Sequence, residues 1–433
     1  MKYYSTNKQS AVVDFKEATI RGLAPDKGLY FPEHIPQADK TFIQQIEKYS
    51  NAEIAFRVIL PYIGNSIPAD ELQRIAHEAI DFEIPLVNIT GNIFSLELFH
   101  GPTLAFKDVG ARFMSRCLGF FAKEKNEKVV VLVATSGDTG GAVANGFYNV
   151  AGVEVVILYP SGKVSSVQEK QLTTLGNNIH ALEVAGNFDD CQRMVKDAFA
   201  DEALNKQLFL TSANSINVAR WLPQQFYYFF AWKQWAAKND PPVISVPSGN
   251  FGNICAGLLA YRSGLPVKHF IAACNANDTV PEYFRTGDYK PKKAIATISN
   301  AMDVGDPSNF VRILDMFKQD IPALKKMISC YSITDDETKA AIKELLKQEQ
   351  YLLDPHGAVA WIALNKYLGN HSNAKGIFLE TAHPVKFYDV VETVIQQKVP
   401  IPESVRAQLV KEKKSLKIAA DSNVLKDFLK KYA

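Results

Sequence analysis

The sequence has few cysteines and none of the patterns in which cysteine stabilises secreted or zinc-binding proteins. The five cysteines are odd in number and widely spaced, and no C-x-x-C pair occurs among them. This argues against a disulfide framework or a zinc site, and it favours a reducing compartment. The polar start, Met1–Ser10, has no apolar core after a basic segment, so no secretory signal is predicted.

Long apolar runs and an excess of one charge are also absent. The most apolar run, Phe226–Trp232, is too short to cross a bilayer and ends at Lys233. With 48 basic and 46 acidic residues the formal net charge is +2, which gives no general attraction to nucleic acid or anionic membrane. We therefore expect a soluble cytoplasmic protein with a small-molecule partner, and no nucleic acid, membrane or bound metal.

At 433 residues the chain is longer than one core usually supports, so several domains are expected. We assign residues 1–93 to an N-terminal domain in which apolar residues at helical spacing predict helices over Lys40–Leu60 and Pro68–Ile80. That region carries no catalytic signal. Residues 94–215 are assigned to a small α/β domain, and residues 216–433 to a larger one.

From residue 94 onward, short β-branched runs alternate with helical segments. Such repetition predicts the α/β class, with parallel sheets and helices on both faces. Several predicted strands are followed at once by polar, glycine-rich loops; these strands are Val129–Val133, Val243–Val246 and Gly376–Leu379. Ligands of such sheets bind beyond the carboxyl ends of the strands, so we expect these loops to converge on one cleft.

Lys107 stands between the apolar pair Ala105 and Phe106 and the acidic Asp108. Apolar neighbours or a second cation lower the pKa of a lysine and free its lone pair, and such lysines attack carbonyl compounds, including pyridoxal phosphate. Read alone, the same residues also describe a lysine that opens a helix and pairs with Asp108 at the surface.

Three loops contain residues suited to binding anions. The run Ser248–Asn253, between a strand and a helix, offers glycines and successive backbone N–H groups, although it also reads as a tight turn. The run Thr135–Gly141, before a helix predicted over Ala142–Asn149, is richer in hydroxyls, but Asp138 would oppose an anion unless it has another partner. The third turn carries Asn214 and Ser215 and precedes Arg220, a residue matched to phosphate or to a surface ion pair.

The last motif is Glu380–Pro384, after the strand Gly376–Leu379. The hydroxyl of Thr381 is placed to hydrogen-bond an unprotonated ring nitrogen. His383 is a rival acid or base, or a capping histidine. Asp354 and Pro355 mark the start of a helix.

Taken together, these motifs resemble the pyridoxal-phosphate-dependent threonine synthases of the branch with an extended N-terminal domain, a fold-type II group similar to the tryptophan synthase β subunit. The resemblance runs from Tyr4–Thr6 to Thr381–Pro384. It implies that Lys107 carries pyridoxal phosphate and that Thr381 faces the pyridine nitrogen. It implies that the phosphate of the cofactor is held by the loop Ser248, Gly249, Asn250, Phe251, Gly252 and Asn253.

The resemblance also implies a substrate, O-phospho-L-homoserine, which is converted with water to L-threonine and phosphate. Its carboxylate would be received by Thr135, Ser136, Gly137, Asp138 and Thr139, and its phosphate by Asn214, Ser215 and Arg220. Many fold-type II enzymes carry asparagine where Asp138 stands, so the partner of the cofactor 3′-oxygen stays open.

Other functions remain to be separated from this one. A threonine dehydratase or a cysteine synthase would lack the anion-binding set around Arg220 and the long N-terminal domain. A lyase that releases phosphate and 2-oxobutyrate would share the site, as would a non-catalytic protein that binds pyridoxal phosphate or a phosphorylated amino acid. We expect a monomer or a homodimer.

Overall fold

The computed structural model describes residues 1–125 and 128–432. Its N-terminal region contains a three-stranded antiparallel sheet of order β2-β1-β3 and four α-helices. In chain order these elements are β1 (Lys2–Ser5), β2 (Val13–Asp14), α1 (Phe15–Arg21), β3 (Tyr30–Pro32), α2 (Lys40–Gln44), α3 (Asn51–Ile63) and α4 (Ala69–Ala79).

The single helix predicted over Lys40–Leu60 is wrong, because the chain forms two helices separated by a 3-10 turn at Ile46–Lys48. Helix α3 restarts at a capping box: the Ser50 side chain accepts from the backbone N–H of Glu53, and the Glu53 carboxylate accepts from the backbone N–H of Ser50. Both helices keep their apolar residues in the core, so periodicity alone could not detect the break.

The rest of the chain alternates strands and helices, as the sequence predicts. In chain order the elements are β4 (Leu86–Thr90), β5 (Ile93–Glu97), α5 (Lys107–Lys125), β6 (Val129–Ala134), α6 (Asp138–Phe147), β7 (Val153–Pro160), α7 (Ser166–Thr173), β8 (Ile179–Ala185), α8 (Phe188–Ala200), α9 (Glu202–Gln207), β9 (Phe209–Ser212), α10 (Val218–Trp221), α11 (Gln225–Gln234), β10 (Val243–Pro247), α12 (Gly252–Arg262), β11 (His269–Cys274), α13 (Thr279–Thr286), α14 (Phe310–Met316), α15 (Ile321–Met327), β12 (Ile328–Ser332), α16 (Asp335–Glu349), α17 (Pro355–Gly369), β13 (Gly376–Glu380), α18 (Tyr388–Ile395), α19 (Glu403–Leu409), β14 (Ser415–Ala419) and α20 (Ser422–Leu429).

Two larger sheets organise these elements. One has five parallel strands in the order β14-β8-β7-β6-β9. The other has six strands in the order β12-β11-β10-β13-β5-β4, and only the β4–β5 pair at its edge is antiparallel. The predicted parallel sheets are thus confirmed, with β4 as an added antiparallel edge.

Helices cover both faces of the six-stranded sheet. In β11, Phe270 and Ala272 belong to the same core cluster as α11 and α12, whereas the alternating Ile271 and Ala273 belong to the cluster of α17. This period-two alternation between two buried faces explains why the strand reads as a continuous apolar run.

Two strands pair across the domain limits expected from the sequence. Strand β5 pairs with β13 of the six-stranded sheet, and β14, near the end of the chain, pairs with β8 of the five-stranded sheet. The expected limits near residues 93 and 215 therefore do not coincide with the limits of the sheets, and the division into domains stays a proposal. Helix α6 begins at Asp138, not at Ala142, so Asp138 and Thr139 lie in its first turn.

Candidate active site

Lys107 is the first residue of α5, and its position is set by backbone pairing with the segment that follows β13. The N–H of Phe106 donates to the carbonyl of Thr381 (2.9 Å), and the N–H of His383 donates to the carbonyl of Leu104 (3.0 Å). The hydroxyl of Tyr227 holds the same segment by donating to the carbonyl of Phe106. These bonds place the start of α5, with the candidate lysine, beside the backbone of Thr381.

The amine of Lys107 faces an apolar and cationic environment. Its Nζ lies 5.6 Å from the centre of the Phe106 ring. Burial lowers the pKa of Lys107; the charge of Asp138 opposes this shift, while the charges of Lys386 and Arg220 add to it. A lysine in these surroundings is biased toward the neutral amine that attacks a carbonyl.

The alternative in which Lys107 pairs with Asp108 is not what the structure shows. The Asp108 carboxylate is buried and accepts from the backbone N–H (2.9 Å) and the hydroxyl (2.5 Å) of Thr103. Burial raises the pKa of Asp108, and its bonds to Thr103 oppose that shift. Asp108 thus anchors the turn before Lys107.

The loop Ser248–Asn253 leads from β10 into α12 and leaves the start of that helix open to an anion. Phe251 has a left-handed backbone (φ 58°), and no side chain caps the helix. A Cβ on Gly249 would lie 2.6 Å from Cα of Met302, so only glycine allows this close packing. The buried amide nitrogen of Asn253 has no partner in the described chain, while its oxygen accepts from Tyr228 (2.8 Å).

Two side chains of this loop already have partners. The Asn250 amide donates to the hydroxyl of Ser215 (2.8 Å) and accepts from the N–H of Ser308 (2.6 Å). The Ser248 hydroxyl donates to the carbonyl of Val246 (2.8 Å). The structure thus joins the loops after β10 and β9. The N–H of Ser248 donates to the carbonyl of Ala273 (2.8 Å), so the backbone N–H groups of Gly249–Asn253 are the main donors for a phosphate.

The loop after β6 is ordered by its own first residue. The Thr135 hydroxyl oxygen accepts from the N–H groups of Gly137 (3.0 Å) and Gly140 (2.8 Å), whereas Ser136 and Thr139 are only half-buried. Gly137 has φ 144°, and a Cβ there would lie 2.5 Å from the Gln168 side chain, so glycine is required.

Asp138 is buried and forms an ion pair with Lys386, a partner that the sequence did not predict. Its Oδ1 accepts from Nε2 of Gln168 (3.0 Å) and lies 3.0 Å from Nζ of Lys386. Burial alone would raise the pKa of Asp138, but the charges of Lys386 and Lys107 and these hydrogen bonds hold it well below its usual range. Asp138 is therefore a carboxylate that does not oppose an anion, because Lys386 neutralises it.

Arg220 is the strongest anion-binding candidate in the cleft. Only 3% of Arg220 is exposed, and its Nε and Nη1 have no hydrogen-bond partner in the described chain. Burial lowers the pKa of Arg220 to about 10, against the opposing charges of Tyr227 and Asp108. The surface ion pair considered from the sequence is thus wrong, and a buried guanidinium with unused donors indicates that a ligand completes this site.

The remaining motif residues have structural partners. Asn214 and Ser215 lie half-buried in the turn before α10, and the backbone carbonyl of Ser215 accepts from Arg312 (3.3 Å).

His383 accepts from the N–H of Val385 through Nδ1 (3.1 Å), and burial lowers its pKa to about 4, so it is a neutral capping residue. Asp354 caps α17, as its motif predicts.

Sequence reasoning missed two buried cations, Lys386 and Arg312. Arg312 stacks on Trp221 (4.3 Å) and donates to the carbonyls of Tyr30, Ser215 and Ile216, so it ties the N-terminal domain to the turn after β9. Lys386 stands between Val385 and Phe387, and the apolar-neighbour argument used for Lys107 would have found it. Arg312 carries no comparable signal.

The residues present fit pyridoxal phosphate. A lysine amine of lowered pKa would meet the aldehyde. A helix start without a side-chain cap and the amide nitrogen of Asn253, which has no partner in the described chain, would meet the phosphate group. Within residues 1–125 and 128–432 no group of three or more potential ligands is arranged for a metal ion. Over the same residues, every helix is too short or too polar to cross a membrane.

Comparison with known proteins agrees with this geometry. Residues 2–80 match the family model for the threonine synthase N terminus, residues 85–379 that for pyridoxal-phosphate-dependent enzymes, and residues 357–429 that for the threonine synthase C-terminal region. Threonine synthase of Escherichia coli (strain K12) is 45% identical over 404 residues, 93% of each chain. The chain belongs to the threonine synthase family.

Solved structures of threonine synthases have the same fold over the whole chain. The crystal structure from Escherichia coli superposes with a TM-score of 0.92 at 41% identity and covers 100% of both chains. The pyridoxal-phosphate-bound threonine synthase from Brucella melitensis gives a TM-score of 0.95 at 35% identity, with 100% of this chain and 99% of that chain covered. This threonine synthase fold confirms the fold-type II class, and the enzyme is a lyase with pyridoxal phosphate as its cofactor.

Proposed function

We propose that the enzyme converts O-phospho-L-homoserine and water into L-threonine and inorganic phosphate. The observation that supports this substrate is the buried guanidinium of Arg220. Its Nε and Nη1 have no hydrogen-bond partner in the described chain, and its charge lowers the pKa of Lys107. An unpaired buried cation beside the reactive amine favours a substrate that brings its own anion.

Three groups would hold the cofactor. Lys107 offers its amine to the aldehyde, the N–H groups of Gly249–Asn253 at the start of α12 receive the phosphate, and Thr381 offers its hydroxyl to the ring nitrogen. When bound, pyridoxal phosphate supplies an electron sink for carbanion chemistry next to the amino group of the substrate. Asp138, held by Lys386 and Gln168, contributes a fixed carboxylate whose charge reaches Lys107.

Once the substrate is bound, Lys107 acts as the proton carrier. As a free amine its Nζ takes a proton from Cα and moves protons at Cβ, because its lowered pKa brings it into the range of a general base. Arg220 stabilises the negative charge that develops on the departing phosphate at Cγ. One of these protons is delivered to Cγ after phosphate has left, and water adds its hydroxyl at Cβ while its proton goes to the released phosphate. The second proton returns to Cα to give L-threonine. The hydroxyls of Ser136, just before α6, and Thr139, in its first turn, orient the carboxylate of the substrate.

Water must be kept out until phosphate has left, and we infer that closure of the two sheet domains does this. Contacts between the two sheet domains support it: the Ser165 hydroxyl donates to the carbonyl of Lys386 (3.0 Å), and Gln171 donates to the carbonyl of Thr103 (3.1 Å).

We also propose a monomer or homodimer in the cytoplasm; the five cysteines are free thiols, which suits a reducing compartment.

The test is the product balance with O-phospho-L-homoserine. The purified holoenzyme is expected to release phosphate and threonine in equal amounts. Phosphate together with 2-oxobutyrate, and without threonine, would identify a phospho-lyase. Bound cofactor with no turnover would identify a binding protein.

A variant at Arg220 tests the proposed anion site. In Arg220→Met the KM for O-phospho-L-homoserine is expected to rise about 100-fold, because two charge-assisted hydrogen bonds are worth about 3 kcal/mol. Arg193→Met is the matched control, since Arg193 is half-exposed on α8. A KM equal to that of the control would contradict the assignment of Arg220.

A further inference from the structure

A second lysine, Lys386, lies buried in the active site. It belongs to the 3-10 turn Pro384–Phe387 after β13, and its side chain is 0% exposed. Its Nζ donates to the carbonyl of Thr103 (2.6 Å) and to Oε1 of Gln171 (2.9 Å), and it lies 3.0 Å from Oδ1 of Asp138. Three acceptors match the three N–H groups of an ammonium, so Lys386 is a fixed charge and not a second nucleophile.

The partner of Lys386 is a carboxylate whose charge reaches the reactive amine. Asp138 is the carboxylate that acts on Lys107 electrostatically, yet it forms its ion pair with Lys386. Gln168 holds the same oxygen of Asp138 from α7 (3.0 Å). In the described chain no carboxylate forms an ion pair with Lys107.

We propose that Lys386 is a positioning residue of the active site: it holds the Asp138 carboxylate, which would otherwise pair with Lys107, and so keeps the Lys107 amine available to the aldehyde of the cofactor. This inference rests on the proposed role of Lys107 as the cofactor-binding lysine. The charged groups that face Lys107 are Asp138, Lys386 and Arg220, and the charge of Lys386 also reaches Asp108 and His383.

The experiment measures how fast the apoenzyme captures pyridoxal phosphate as a function of pH, from the visible absorption of the bound cofactor. In Lys386→Met the freed Asp138 carboxylate is expected to pair with Lys107 and keep it protonated. Capture at neutral pH should then be at least tenfold slower, and its profile should move to higher pH by about one unit. If folded Lys386→Met captures the cofactor at the wild-type rate, and its pH profile has the wild-type midpoint, the proposal is overturned.

Two further variants separate positioning from a loss of structure. Lys386→Met/Asp138→Asn removes both charges and is expected to recover at least half of the lost rate, because no carboxylate is left to hold Lys107. Asp138→Asn alone should leave the profile in place or move it to lower pH. A double variant as slow as folded Lys386→Met would refute the mechanism. A shift of Asp138→Asn to higher pH would refute it even where Lys386→Met fails to fold.

The control for losing a partly buried, paired lysine is Lys413→Met. Lys413 binds Glu169 and Glu183 (both 2.6 Å) beside β8 of the five-stranded sheet, whereas Lys386 follows β13 of the six-stranded sheet. It should capture the cofactor at the wild-type rate, and a slowing equal to that of Lys386→Met would overturn the proposal. Lys107→Ala separates the two claims. Persistent absorption in Lys107→Ala defeats the assignment of Lys107, whereas loss of absorption there with an unshifted Lys386→Met defeats only the role of Lys386.

Discussion

The backbone N–H of Phe106 donates to the carbonyl of Thr381 across 2.9 Å, although 275 positions separate the two residues in the chain (381 less 106). An isolated bridge between Ala105 and Ala382 extends this pairing. The residue before the reactive lysine is therefore fixed to the residue proposed to face the pyridine nitrogen. A rigid backbone bond of this kind holds a site more firmly than a mobile loop would.

The first prediction concerns the Thr381 hydroxyl. Thr381→Val keeps the shape of the side chain and removes one hydrogen bond, which is worth about 1 kcal/mol, so kcat is expected to fall about fivefold. The cofactor content should not change, because Lys107 and the phosphate loop remain. Steady-state kinetics and cofactor absorbance measure both quantities. Thr381→Ser, which keeps the hydroxyl, is the control, and wild-type kcat in Thr381→Val would remove Thr381 from the site.

The second prediction concerns Lys107. Lys107→Ala is expected to lose the visible absorption of the bound cofactor after dialysis, together with at least ~10³-fold of the activity, because the same amine binds the aldehyde and moves the protons. Lys398→Ala, at a side chain that is 91% exposed, should keep both properties. Threonine formation by Lys107→Ala at the rate of the control would show that another base carries the reaction.

The third prediction contrasts two buried arginines. Arg220→Met removes a guanidinium with unused donors, so the apoenzyme is expected to keep or gain about 1 kcal/mol of unfolding free energy while losing substrate affinity. Arg312→Met removes the donors of the carbonyls of Tyr30 and Ile216, so it should cost about 3 kcal/mol.

Urea unfolding of the apoenzymes measures both changes. Because the two side chains are alike in size and charge, each variant controls for the other. Equal destabilisation of both would mean that Arg220 has a structural role and is not reserved for a ligand.

The fourth prediction concerns stability in acid. Burial lowers the pKa of His269 from 6.5 to about 4, and the ring stacks on Tyr367 (4.8 Å) and contacts the hydroxyl of Ser329 through Nε2 (2.8 Å). The unfolded chain binds a proton near pH 6.5, and the folded chain only near pH 4. The stability from neutral His269 is therefore complete above pH 6.5 and is lost as the pH falls toward 4.

After allowance for solvent screening, this loss amounts to about 2 kcal/mol. Urea midpoints at pH 7 and pH 4.5 measure it, and His269→Gln should show a smaller fall between these pH values than the wild type. His34→Gln, at an exposed position, should fall as the wild type does. An equal fall in His269→Gln would show that other groups cause the acid sensitivity.

Much of the fold could be predicted from the sequence because its signals are local. Strands such as Val129–Val133 are apolar at every position, since both of their faces are buried, and the loops after them carry glycine and hydroxyl residues. The break after α2 could not be predicted from periodicity, because the chain re-enters a helix on the same apolar side. Strand β14 could not be placed either, because its pairing with β8 joins residues more than 200 positions apart.

The sequence by itself determined that the chain alternates strands and helices. It also showed an apolar-flanked lysine, two glycine-rich loops after strands, and an arginine between those loops. Only the tertiary structure decided which of these groups are charged, paired or left without a partner. Asp138 is paired with Lys386, whereas Nε and Nη1 of Arg220 have no hydrogen-bond partner among the described residues, and both outcomes depend on neighbours distant in the chain. Burial and through-space charge set the state of an ionisable group, and neither is encoded at its own position.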